Sequence, residues 1–189
     1  MPRVRLRIRQ TDVRDDLILK YTEPRRPGEV FEFPVLRLTT TVTAGPKLQF
    51  RAVIDTGAWV SVITHDAWTE LDRLGLVEFL PPPAGAGTSR AVIAGGRSEF
   101  RLGRIRLGLI DRDDPNGPRQ LPPVPVVAQM LVDPAVRLPF PVLLGLHGGV
   151  LDGRTLRREP VLGFEATGDP TTDRADAGRR FGQEWYLEN

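Results

Sequence analysis

The chain has 189 residues, 40% of them apolar, with 19 glycines, 18 prolines and a formal net charge of +2. That is enough for one domain with a sizeable core, and it is not the composition of a disordered tail. The absence of cysteine excludes disulfides, thiolate metal sites and a cysteine nucleophile, and two histidines, His65 and His147, are too few for a histidine-rich zinc centre. The near-balanced charge does not argue for nucleic acid. With neither an apolar leader nor a stretch of 18 apolar residues, a cytoplasmic protein without a membrane partner is expected.

Residues 3–9 alternate arginine with Val4, Leu6 and Ile8, the period of a strand with one basic and one apolar face. Arginine on such a strand discourages edge-to-edge aggregation; a basic stripe for an acidic partner is the sharper, less economical reading. A polar connector with prolines at 24 and 27 follows over 22–30. Two β-rich runs, 34–43 and 48–54, flank Gly45-Pro46, which predicts a hairpin. The second run enters Asp55-Thr56-Gly57-Ala58, and a third short apolar run, 60–63, leaves it. Helical spacing over 66–76 sets Ala67, Leu71 and Leu74 on one side, with Thr64 as N-cap and Gly75 at the stop. Beyond three consecutive prolines at 81–83 lie Gly85 and Gly87, a β run 90–94, the turn Gly95-Gly96 and a β run 100–110. A polar loop at 111–118 precedes apolar runs at 124–132 and 140–146, and a last strand is expected within 181–188. There is no internal repeat and no second core.

The chemistry is concentrated at Asp55-Thr56-Gly57, where a buried run delivers an acid into a tight turn and another buried run leaves it. Hydrolysis by paired carboxylates needs an acid held at a fixed point near a twin. Gly57 allows close backbone approach, and Thr56 brings a hydroxyl able to bond across a symmetric pair of loops. The plainer reading is an Asx turn, in which Asp55 bonds its own backbone; it does not predict uninterrupted apolar shoulders on both sides. His147 reads as a structural histidine, and Trp59, Trp68 and Trp185 as core or interface. Gly85-Ala86-Gly87 lacks the lysine of a phosphate-binding loop.

Residues 53–63 resemble the signature of the retropepsin-like aspartic proteases, particularly their non-viral members: two hydrophobics, Asp-Thr-Gly-Ala, then Ser61 and two further hydrophobics. Leu143-Leu144-Gly145 is similar to the family's second motif, which packs beside the catalytic loop. The resemblance implies a mainly β, single-lobed closed barrel with one or two short helices. It divides the chain into an N-terminal extension (1–32), a protease domain (33–165) and a polar C-terminal tail with a last strand (166–189). It also implies Asp55 as the catalytic acid, Thr56 and Gly57 as its positioning partners, and Ala58, with Gly85 and Gly87 of a glycine-rich flap within 85–102, lining a groove for a peptide or protein substrate. No metal or organic cofactor is implied. Viral members often pair an acidic residue with an arginine where this chain has Trp59 and Leu146, and many non-viral ones have Asp where His147 stands.

Paired-carboxylate chemistry needs two acids about 3 Å apart. No second Asp-Thr/Ser-Gly occurs in the chain: Asp111-Arg112-Asp113, Asp133-Pro134-Ala135 and Asp152-Gly153-Arg154 all fail. The expected catalyst is therefore a homodimer with Asp55 from each subunit, and basic residues 3–9 and acidic residues 184–188 are the natural pair to join across its interface. The alternative is a non-catalytic dimeric module that keeps the fold to bind peptide or to assemble.

Overall fold

The computed structural model describes residues 2–10, 18–22, 30–34, 36–55, 57–81, 89–93, 96–112, 114, 117–138, 140–160 and 183–189. Among these, β1 (Arg3–Gln10), β2 (Ile18–Thr22), β3 (Val30–Pro34), β4 (Leu36–Ala44), β5 (Leu48–Ile54) and β6 (Ser61–Ile63) precede the one helix, α1 (His65–Arg73). After it come β7 (Glu78–Phe79), β8 (Ser89–Ile93), β9 (Gly96–Asp111), β10 (Arg119–Leu131), β11 (Val142–Leu144), β12 (Thr155–Pro160) and β13 (Gln183–Glu188).

The protein is mainly β, built on a closed barrel of six strands in the order β4-β5-β11-β6-β10-β9, with β9 returning to β4. Closure follows from the length of β9, whose Gly108 lies opposite Thr43 at the seam. A Cβ at Gly108 would lie 2.7 Å from Thr43 Oγ1 and 3.1 Å from the Leu121 carbonyl oxygen, so the strands meet there only because the position has no side chain. Along β9, Ile105, Leu107 and Leu109 are buried while Arg104 and Arg106 between them are exposed, the two-residue period of a strand with one face on a core. Val42, Ile63, Val126, Met130, Val142 and Leu144 meet them inside the barrel. Each such side chain contributes about 1.5–3 kcal/mol by leaving water.

The helix is shorter than its periodicity predicts. It stops at Arg73, and Leu74, expected on the buried face, is the C-cap and 45% exposed. Gly75, at φ +67°, turns the chain while its N–H donates to Asp72 O and the N–H of Leu76 to Leu71 O. That paired pattern satisfies the last carbonyls one turn early. Thr64 occupies the N-cap without a side-chain hydrogen bond. Trp68 ties the helix to β10 by donating from Nε1 to the Leu131 carbonyl at 2.6 Å, and its ring meets Phe79 edge-on.

Both ends of the chain belong to the main sheet. β1 pairs through Arg7–Gln10 with β4 and through Arg3–Leu6 with β13, and β13 pairs on its other side with β12. The basic and acidic strands set against each other across subunits by the sequence reading are thus neighbours within one chain. Arg3 reaches Glu159 at 3.0 Å and lies over the Tyr186 ring, and Arg5 reaches Glu184 at 3.4 Å. No helix among the described residues is long and apolar enough to cross a membrane.

Candidate active site

The last three residues of β5, Ala52, Val53 and Ile54, are all buried, as are Ser61, Val62 and Ile63 of β6. Strands covered on both faces lose the polar alternation, which is why the run reads as uninterrupted apolar sequence. Between them lies β11, parallel to β5 (Leu144↔Ile54) and antiparallel to β6 (Val142↔Ile63). Asp55 emerges one residue past the ladder, its N–H donating to Leu144 O at 3.0 Å. The acid is therefore set at the end of a buried strand and is itself half-exposed.

The loop is closed by two short bonds: the Ala58 N–H donates to Asp55 O at 3.2 Å, and the Gly57 N–H to Asp55 Oδ1 at 2.9 Å. The second is the bond of an Asx turn, so the plain-turn geometry and the buried shoulders occur together. A Cβ at Gly57 would stand 3.3 Å from Asp55 Oδ1, tight against the carboxylate it supports. Thr56 lies outside the described residues, as do Gly85 and Gly87. Within the proposed flap region, β8 and β9 pair as a hairpin from Ser89↔Phe100 to Ile93↔Gly96.

Leu143-Leu144-Gly145 lies directly against this loop. Beyond β11 the chain runs alongside residues 58–60, with Leu146 N–H donating to Ala58 O at 3.0 Å and His147 N–H to Trp59 O at 2.8 Å. Gly145 is the point of closest approach: a Cβ there would lie 2.4 Å from the carbonyl carbon and 2.5 Å from the oxygen of Val60. Its N–H is met by Ser61 Oγ at 3.2 Å, wholly inside the protein. Ser61 thus carries a role that its place in the apolar run only hinted at: it is the lone hydroxyl in a buried strand, bound to the second motif.

Trp59 is not a core residue. It is 72% exposed, with its ring 4.1 Å from that of His147, which is itself exposed. Leu146, whose N–H bonds the loop at Ala58, is also 41% exposed. Trp68 and Trp185, in contrast, pack against the core. Two cavities are present elsewhere, and Asp55 lines neither. One of about 320 Å³ opens between the start of α1 and residues 134–141; the other, of about 170 Å³, lies among β1, β4 and the end of β9. Among the described residues, no three His, Cys, Asp or Glu side chains group as metal ligands. No family model, no curated protein and no solved structure matches the chain.

Proposed function

We propose that the chain is one subunit of a homodimeric, retropepsin-like aspartic endopeptidase, with Asp55 as its half of a shared carboxylate pair. The observation that supports this most is the setting of Asp55 at the end of buried β5, locked to Leu144, with Gly145 pressed against Val60 at the far side of its loop. A surface turn has no need of that anchorage, whereas a pair of acids that must meet with sub-ångström tolerance does.

In this reading two copies meet about a two-fold axis, and the paired carboxylates, unable to ionise together, share one proton. The ionised Asp55 takes a proton from a water as the water oxygen bonds to the scissile carbonyl carbon. The protonated Asp55 donates to the carbonyl oxygen, giving a neutral tetrahedral diol. Proton transfer to the amide nitrogen then accompanies cleavage of the C–N bond, releasing a carboxyl and an amine end and restoring the singly protonated pair. An extended peptide would lie as an added strand under the β8–β9 hairpin.

A second reading, a dimeric peptide-binding module without turnover, is favoured by the Asx bond at Gly57 and by the exposed Trp59, since both suit a turn beside an apolar docking surface. Incubating wild type and Asp55→Asn with unfolded protein from mildly acidic to neutral pH separates the two. The peptidase reading expects cleavage that falls about 10²–10⁴-fold in the variant while its unfolding midpoint is kept, because an amide oxygen still accepts the Gly57 N–H. Equal cleavage by both proteins would sink it, and peptide binding without cleavage by either would favour the module.

A further inference from the structure

Two acids that share a proton stand about 3 Å apart, so the surface immediately around Asp55 is where two copies of the chain would touch. The chain-terminal strands are already used within one chain. β1 pairs with β4 and β13, β13 pairs with β1 and β12, and the Asn189 N–H donates to Pro2 O at 3.4 Å.

What adjoins the acid is instead the crossing of residues 57–60 with residues 145–148. The Ala58 N–H bond to Asp55 O closes a turn, whose ends lie under about 7 Å apart. Trp59 follows one Cα step of about 3.8 Å further on, so its backbone is within about 11 Å of that of Asp55. Leu146 and His147 are held to Ala58 and Trp59 by backbone bonds, and the rings of Trp59 and His147 meet at 4.1 Å.

Two observations give this crossing the character of an interface. Among the described residues four large apolar side chains are exposed, and two of them, Trp59 and Leu146, are here, Trp59 being the most exposed of all. The second observation is the charge pattern. In a chain of which 26% is charged, residues 56–64 and 138–151 hold no Lys, Arg, Asp or Glu. Burial explains this for β6 and β11, but not for the exposed positions Gly57, Trp59, Leu146, His147 and Gly148. A patch that meets itself across a two-fold axis sets each charge close to its own copy, and like charges so placed are costly. Interface centres are accordingly rich in tryptophan and poor in charge.

Resting on the paired-acid reading of Asp55, we propose that this patch is the contact surface for a second copy of the chain, with Trp59 and Leu146 as its apolar centre. The dimer is then held by the loops that adjoin the acid and not by exchange of terminal strands. Association and completion of the site become one event, since a chain alone has neither the second acid nor a cover for Trp59.

Sedimentation of the full chain over a dilution series measures the dissociation constant, and tryptophan emission over the same series reports whether a tryptophan leaves water. Wild type should associate, with emission moving to the blue as it does. Trp59→Ala should weaken association about thirtyfold or more, as at an interface hot spot, and Leu146→Ala several-fold. Leu74→Ala, at another exposed apolar position, should leave it unchanged. Because Trp59 is exposed in the single chain, diluted Trp59→Ala should keep the unfolding midpoint of equally diluted wild type. Asp55→Asn keeps the patch and should dimerise as wild type does. A wild-type dimer that depends on Trp59 but cleaves nothing would leave the interface standing and remove the peptidase. A wild type monomeric at every concentration, or association unchanged by Trp59→Ala, would overturn the interface. Unchanged association with altered cleavage would do so too, by assigning Trp59 to the substrate groove.

Discussion

Replacing Gly145 by alanine tests how tightly the second motif is pressed on the Asp55 loop. The added Cβ would start 2.4 Å from the Val60 carbonyl carbon and 2.9 Å from Ser61 N. Ordinary carbon contacts lie at about 3.5–4.0 Å, so the two segments would have to part by about 1 Å. They are not free to do so, since the Asp55–Leu144, Ala58–Leu146, Trp59–His147 and Ser61–Gly145 hydrogen bonds hold them on both sides. Overpacking of this kind costs about 1–3 kcal/mol, and two broken hydrogen bonds add about 0.5–1.5 kcal/mol each. The sum, about 2–6 kcal/mol, is a large part of the 5–15 kcal/mol that holds a typical domain together. Urea unfolding at constant m would measure it. Gly153→Ala is the matched control: Gly153 has φ +69° with nothing within 4 Å of an added Cβ, so only backbone strain of about 1–2 kcal/mol is expected there. A Gly145→Ala loss no larger than the Gly153→Ala loss would refute the close-approach reasoning.

Ser61→Ala should cost about 1–3 kcal/mol in the same assay, because it leaves the buried Gly145 N–H without its acceptor; a change under about 0.5 kcal/mol would show that the bond contributes nothing. The Tyr186 phenol is pushed up to about 12 by burial and then by its hydrogen bond to Glu184. Its folded value exceeds its unfolded one, so its contribution is whole below pH 10 and is lost as pH rises toward 12. Allowing for solvent screening beside Arg3 and Glu159, that loss is about 1–2 kcal/mol. Tyr186→Phe should remove this alkaline slope from a stability–pH curve, and an identical slope in both proteins would contradict the assignment. Asp111, buried against Arg5 and Arg7 and near Asp114, has its carboxyl held above the usual range by desolvation. Its contribution is accordingly greatest at acid pH and falls as pH rises through its folded value. Urea curves of wild type and Asp111→Asn should differ in pH dependence in that direction, and parallel curves would refute it.

The candidate site was legible where its physics is local. Asp55 could be picked out because β5 and β6 are buried on both faces, which writes an unbroken apolar run on either side of the acid. Gly75 could be placed as the helix stop, because a left-handed residue is a local demand. Leu74 misled, since apolar spacing continued one step past the residue where the backbone turned. For Trp59 the sequence left core and interface both open, and its 72% exposure excludes the core; nothing in its sequence neighbours records that the loop holds it outward against His147.

Sequence alone determined the strand-rich class, the single acidic turn and its partner motif, because alternation, turn residues and apolar runs are set by residues a few positions apart. Only the tertiary structure decided that β9 closes on β4, that Ser61 meets Gly145 across 84 residues of chain, and that β1 pairs with β13 in the same molecule. A strand's own pattern says which face it buries but not which edge it joins. A basic strand and an acidic strand attract equally well within one chain or between two, and that choice rests on the path of the chain between them.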